Sequence, residues 1–502
     1  MATLRNFQAR SYQESISKTA SVQNTLVCLP TGMGKTKIAL MLAVDRLTIY
    51  PSSQVLVLSP TKPLSHQISQ EFLEYTDISS VHLLTGSLAP SQRLPHYVDA
   101  VVVVATPQTI QKDLESGRLS LENFSLLVVD ECHRSRQNFA NTVVAQYYQK
   151  QSLHGRILAL TASPGSQKEK IEEIRRHLFI DAVEIRSEHD EDIKSYIQKK
   201  DKRIITVELP SELKALQSLL QSVYAEKLEK LRDLGFSKPL RVVSKVDLLR
   251  LQKVFQSQLR GKNPSAFYGL SLVAQALKVS YALELAETQG LISLQLFLEK
   301  LKQESSKAAA VLCKDPRFHD VEKLVVSFLE KGFRHPKLDV LLSFLQYEIH
   351  KNPSAKIIVF ANYRTTVTEI VDFLHLYNIS SHRFVGQADR LDKGLKQAEQ
   401  VKVLEDFSSG KFNVLVGSSV SEEGIDIREV DAVVFYESVG SELRSIQRSG
   451  RTGRTSAGKV VHLLTKGTRD EYLYWASLKK QQRMKKVLYD MQAQHSLGDY
   501  HG

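Results

Sequence analysis

Cysteine is nearly absent: three residues in 502, Cys28, Cys132 and Cys313, none within metal-ligand spacing of another. That spacing excludes a zinc ribbon or a disulfide framework, so no structural zinc is expected. Long apolar runs are missing too. The longest runs, such as AVVVVA at 100–105, have the length of a strand and fall far short of a membrane span. The opening segment MATLRNFQARSYQ is polar and carries no apolar signal core. A soluble, cytoplasmic protein without a membrane partner is the expectation. Acidic residues are outnumbered, 55 against 67 Lys and Arg, and the formal charge of +12 favours a polyanionic partner, nucleic acid first.

What is present is a strand–helix rhythm. TLVCLP, QVLVLSP, SVHLLTG, DAVVVVATP, SLLVVDE, RILALTASP and DAVEIR are near-continuous apolar runs in the first 200 residues. Such runs suit strands of a parallel sheet buried on both faces. A second set, KIIVFANYR, SSHRFVG, FNVLVGSS, DAVVFYES and KVVHLLTKG, begins near 356. The reading is therefore α/β: two doubly wound domains, 1–202 and 336–480. Between them, 203–335 reads as helical throughout, with Leu213, Leu216, Leu220, Val223 and Leu231 at helical spacing. Residues 481–502 read as a basic helix followed by a tail.

Chemistry enters at the end of TLVCLP. Leu29, Pro30, Thr31, Gly32, Met33, Gly34, Lys35 and Thr36 lead from a strand straight into a helix. The two glycines let backbone N–H groups curl around a phosphate chain, and the helix N-terminus adds its dipole. Lys35 supplies a charge for the terminal phosphates of ATP, and Thr36 an oxygen for Mg²⁺. The stricter loop pattern wants glycine where Leu29 stands. About one hundred residues on, LLVVDECH ends a strand with Asp130 and Glu131. Neighbouring strand side chains point apart, so Asp130 is assigned to Mg²⁺ and Glu131 to the attacking water. In SIQRSGRTGR, Gln447, Arg451 and Arg454 fall on one helical face, suited to stabilising a transferring phosphoryl group from the second domain.

TGMGKT, DECH, TASP and QRSGRTGR occur in the order and spacing of superfamily 2 helicases. SPTKPLSHQ, ATPQTI, VFANYR, FVGQ and GSSVSEEGID fill out the set. Within that superfamily the chain resembles the helicase part of the Hef, FANCM and Mph1 group. HPKLDVL at 335–341, EEGIDIREVD, KGTRDE and the helical insertion carry this resemblance. It implies a two-motor-domain fold with a thumb-like insertion. It also implies an ATPase that travels 3′→5′ on branched DNA such as forks and four-way junctions, in an archaeal nucleoid. The group's nuclease motif, ERKxxxD, does not occur here, so a separate nuclease or a sliding clamp is the partner implied.

The resemblance also assigns residues. Arg10, Tyr12 and Gln13 would frame the adenine, while Gly424 and Asp426 would reach the nucleotide from the second domain. His133, Thr161 and Ser163 would couple nucleotide state to the nucleic acid. Thr61, Lys62, Thr106, Arg364 and Ser419 would grip phosphates rather than bases, as a sequence-independent motor requires. Two alternatives stay open: an RNA-directed ATPase, since relatives of that kind share the DECH spelling and a helical insertion, and a nucleotide-gated binding platform that does not unwind.

Overall fold

The seven apolar runs of the first 190 residues form one parallel sheet. They are β1 Thr25–Cys28, β2 Gln54–Leu58, β3 Val81–Leu84, β4 Val102–Ala105, β5 Phe124–Val129, β6 Ile157–Thr161 and β7 Ala182–Ile185. Their order in the sheet is β3-β4-β2-β5-β6-β1-β7. The computed structural model describes every residue except 1, 136, 138, 189, 197–199, 240–242, 260–263, 387–393, 419–429, 442–445, 447, 450, 451, 453–457 and 499–502. Apolar side chains leave both faces of the sheet. Leu26, Leu56, Val103 and Leu127 enter one core, Val27, Val57, Val104 and Val128 the other. Double-sided burial is why these strands read as unbroken apolar runs.

The second sheet comprises β8 Lys200–Val207, β9 Ile357–Phe360, β10 Ser381–Phe384, β11 Val414–Gly417, β12 Ala432–Phe435 and β13 Gly458–Thr465. Its order is β10-β11-β9-β12-β13-β8. Strand β8 corrects the sequence reading, because the boundary placed at 202/203 cuts through it. It pairs in parallel with β13, more than 250 residues downstream. Asp201, Lys202 and Arg203 are exposed, so this edge strand lacks the apolar signature by which its partners were found.

The insertion is a helical bundle of Ser211–Asp233, Lys245–Leu259, Pro264–Glu284, Leu291–Gln303, Lys307–Cys313 and Pro316–Glu330. Leu213, Leu216, Leu220, Val223 and Leu231 are all buried in it, as their spacing requires. One run here is longer than the sequence reading allowed: Ser265–Gln289 is long and apolar enough to cross a membrane by length and composition. It packs between the Ser211–Asp233 and Lys245–Leu259 helices, burying Val273, Ala276, Val279 and Ala282, and is a core helix of the bundle. It ends in a π-helical turn, Leu285–Gln289, before Gly290 breaks it at φ 118°.

The join between insertion and second domain is polar and buried. Lys337 and Asp470, both fully buried, form an ion pair at 2.5 Å. Lys337 Nζ also donates to the Tyr436 carbonyl, and Asp470 accepts from the backbone N–H of Ser438. Beside them His335 Nε2 lies 3.1 Å from the Glu287 carbonyl, and its Nδ1 accepts from the Lys337 N–H. These contacts fix the neutral ring with its proton on Nε2. Burial and the Lys337 charge push the His335 pKa down to about 3. A histidine depressed in the fold contributes stability above its unfolded pKa, near 6.5, and loses it as pH falls toward 3. His335→Gln is therefore expected to flatten the decline in melting temperature between pH 6.5 and 4. An unchanged slope in that variant would remove His335 as the acid-sensitive group.

The last helix, Arg469–Gly498, starts in the second domain and crosses back to the first. Met484, Leu488 and Met491 enter the first domain's core, and Gln492 accepts from the Ile185 N–H of edge strand β7. Residues 481–498 are thus one element with 469–480 rather than a separate C-terminal piece.

Candidate active site

Ligands of open α/β sheets bind beyond the carboxyl ends of the strands, and both sequence-assigned chemical centres stand there. After β1 the chain enters the phosphate loop with Gly32 at φ 83° and Gly34 at φ 70°, the left-handed region that glycine tolerates. Gly34 is the N-cap of the Lys35–Ile49 helix. It is the left-handed backbone that holds this position to glycine; a Cβ there would also sit 2.6 Å from Gln13 Nε2, the far end of a side chain that would have to shift. Lys35 Nζ donates to the Leu29 carbonyl at 3.2 Å. Leu29 itself is fully buried in the core beneath the loop, which explains an apolar residue where glycine is usual.

The N-terminal helix Ser11–Val22 is docked on this loop. Tyr12 Oη donates to the Met33 carbonyl at 2.8 Å, and Arg10 donates to Tyr12 Oη. The Gln13 amide lies against the same loop, its Nε2 at 3.4 Å from the Met33 carbonyl. Of the three residues assigned to adenine, Tyr12 and Gln13 thus bond the phosphate loop directly, and Arg10 reaches it through Tyr12.

Asp130 follows β5, with its N–H on the Leu58 carbonyl. Glu131 adopts φ 49°, ψ 48°, a left-handed conformation that costs a residue with a Cβ about 1–3 kcal/mol. Both residues lie beyond the last strand residue, Val129, so strand alternation does not set their side chains apart, and the two carboxyls act on each other electrostatically. Burial and the charge of Glu131 push the Asp130 carboxyl up, with Lys35 opposing; burial also acts to raise Glu131, but the hydrogen bond and charge of His133, with Lys35, outweigh it and hold that carboxyl below its ordinary value. An acid so raised is one that a cation would relieve. Thr36 stands in the first turn of the adjoining Lys35–Ile49 helix, and among the described residues no group of three or more His, Cys, Asp or Glu gathers to hold a metal.

The residues assigned to coupling form a chain. His133 Nδ1 lies 3.2 Å from Glu131 Oε2 and 3.3 Å from Thr161 Oγ1. Thr161 Oγ1 accepts from the Ser163 N–H at 3.1 Å. Ser163 Oγ then reaches Met484 Sδ of the C-terminal helix at 2.9 Å. Met484 was not identified from the sequence, because 321 positions separate it from Ser163 and only the crossing helix joins them. A cleft of about 340 Å³ opens beside this chain, lined by His133, Ser163, Gln167, Lys170, Gly440 and Lys480.

Three residues assigned to the nucleic acid share one edge. Thr61 follows β2 and caps the Lys62–Tyr75 helix, and Lys62 Nζ donates to Ser87 Oγ beyond β3. Thr106 follows β4, its hydroxyl 2.8 Å from that of Thr109. Strands β3, β4 and β2 are neighbours, so this row of hydroxyls and one ammonium spans adjacent strand ends. Arg364 opens the Arg364–Leu376 helix after β9, in the second domain.

Ser419, Gly424, Asp426, Gln447, Arg451 and Arg454 lie outside the described residues. Their described neighbours show anchors the sequence did not reveal. Arg448 is fully buried, donates to Asn362 Oδ1 and lies over the Phe360 ring. Asn362 in turn donates through N and Nδ2 to Glu437, whose carboxyl burial pushes up to about 7. Thr452 Oγ1 donates to the Val430 carbonyl at 2.6 Å.

Comparison with known proteins agrees with this architecture. Family models for the DEAD/DEAH box helicase match 7–171, the helicase conserved C-terminal domain 336–456, and a helical bundle described as "Putative ATP-dependent RNA helicase, helical bundle" 212–332. The Pyrococcus furiosus Hef helicase domain is similar at 41% identity and a TM-score of 0.73, covering 93% of this chain and 98% of that one. Among curated sequences, a Methanocaldococcus jannaschii protein named "Putative ATP-dependent RNA helicase MJ1505" is 37% identical over 97% of this chain and 61% of its own length. ATP-dependent DNA helicase MPH1 of Pyricularia oryzae is 33% identical over 95% of this chain and 45% of its length. The chain thus spans about half to three fifths of these curated relatives.

Proposed function

Since the chain belongs to the Hef, FANCM and Mph1 family of superfamily 2 helicases, an ATP-hydrolysing family, we propose that its motor acts on branched DNA, travelling 3′→5′. The observation that supports a working motor is the continuous run from Glu131 through His133 and Thr161 to Ser163, ending on Met484 of a helix rooted in the second domain. Through that run a change at the γ-phosphate reaches the element joining the two domains.

Lys35 and the loop N–H groups hold the phosphates, and Glu131, kept ionised by His133, accepts the proton of the attacking water. Asp130 and Thr36 would hold Mg²⁺, which neutralises developing phosphate charge when bound. Thr61, Lys62 and Thr106 offer hydrogen bonds to backbone oxygens and no base-reading arrangement, which suits a grip that ignores sequence. A separate nuclease or sliding clamp would complete a junction-processing assembly.

The second reading is RNA, favoured by the printed names of the M. jannaschii relative and the helical-bundle family. ATP hydrolysis measured with forked DNA, linear duplex and RNA side by side decides between them. Stimulation highest with forked DNA is expected; stimulation by RNA alone would overturn the DNA assignment.

A further inference from the structure

We propose that the outer face of the C-terminal helix is a second contact for an unpaired DNA strand, with Trp475 stacking a base and Lys479, Arg483 and Lys486 meeting the phosphates beside it. The proposal rests on the reading of the protein as a DNA motor and adds a site to it.

The helix has two opposite faces. Ser477, Met484, Leu488 and Met491 are buried, the last three in the first domain's core. On the other side Tyr472 is 71% and Trp475 48% exposed, and Lys479, Arg483 and Lys486 are exposed as well. Positions 472, 475, 479, 483 and 486 follow steps of three and four, which is a single stripe on a helix. No acidic residue stands on that stripe until Asp490. Among the described residues, none of the three cations forms an ion pair. At about 1.5 Å per residue, they repeat every ~4.5–6 Å along the helix.

Trp475 is the chain's single tryptophan, and it is held rather than loose. Its ring packs edge-on against Tyr474 at 5.2 Å; Tyr474 meets His462 at 4.8 Å; His462 stacks on Phe435 at 4.3 Å. Phe435 and His462 belong to β12 and β13, so the exposed indole is the outer end of an aromatic row rooted in the second sheet. A rigid exposed aromatic next to a line of cations is the arrangement by which single strands are bound without sequence preference. The charge decides against an apolar protein partner, which would leave three cations desolvated and unpaired. The stripe is also continuous with the motor cleft: on its flank, Lys480 donates to the Gly440 carbonyl and lines the space shared with His133 and Ser163.

Because Trp475 is alone, its emission reports this face and nothing else. The full chain is titrated with an unlabelled oligothymidylate of roughly 20 nucleotides, then with a blunt duplex, and ATP hydrolysis is followed in the same samples. The expected result is quenching by the single strand that saturates together with ATPase stimulation, and little quenching by the duplex. Trp475→Ala should raise the strand concentration for half-maximal stimulation by roughly tenfold. The triple variant Lys479→Glu, Arg483→Glu, Lys486→Glu should make the slope of log affinity against log salt shallower by about 2, near 0.7 per lost phosphate. Stimulated hydrolysis with unchanged emission would overturn this contact while leaving the motor intact, and equal quenching by the duplex would overturn the choice of an unpaired strand. No stimulation by any DNA would overturn the DNA-motor reading, and this site with it.

Discussion

Replacing Glu131 by Gln is expected to leave ATP and DNA binding near wild type while lowering hydrolysis by about 10²–10⁴-fold, the usual weight of a positioned general base. The amide is isosteric, keeps a polar contact to His133 and leaves Lys35, Thr36 and the glycine turns untouched. What it loses is the ionised form, which His133 and Lys35 stabilise in the native site. The left-handed turn at Glu131 also tells against an ordinary strand end, because such strain persists only where the surroundings impose it. Single-turnover hydrolysis together with fluorescent-nucleotide binding separates the two effects. Undiminished turnover would show the base to be wrongly assigned, and lost binding would show Glu131 to be structural.

The second large effect concerns stability. Lys337→Met or Asp470→Asn is expected to destabilise the second domain by about 3–5 kcal/mol, because each leaves a buried polar or charged partner uncompensated. Asp470 would keep its bonds from the Ser438 and Thr465 N–H groups but lose its counter-charge at 2.5 Å. The double variant Lys337→Met, Asp470→Leu removes both charges and should recover most of the loss, as apolar replacement of buried pairs often does. Denaturant midpoints of the single and double variants measure this. Single variants within about 1 kcal/mol of wild type would show that water reaches the pair.

The contrast between these two sites explains what was legible in the sequence. TLVCLP followed by TGMGKT, and SLLVVDE followed by CH, are local: strand, turn and functional group lie within about ten residues, so periodicity and residue type suffice. The paired motifs HPKLDVL and KGTRDE could be spelled but not understood. Lys337 and Asp470 meet across 133 positions, and neither a buried lysine nor a buried aspartate has a periodic signature. Strand β8 was missed for a related reason: its exposed charged residues pair with a strand far downstream. The contact of Ser163 with Met484 exists only because one helix leaves the second domain and lies on the first. Local chemistry was readable, whereas the wiring between domains was not.

The proposed ATP-driven movement on branched DNA depends on that wiring. The most direct measurement is strand separation of a labelled four-way junction by the full chain, with ATP, with a non-hydrolysable analogue, and with the Glu131→Gln variant plus ATP. Separation is expected only in the first case, with junction binding retained in all three. Separation without hydrolysis, or rapid ATP turnover on the junction with no separation or displacement of any strand, would contradict the proposed movement.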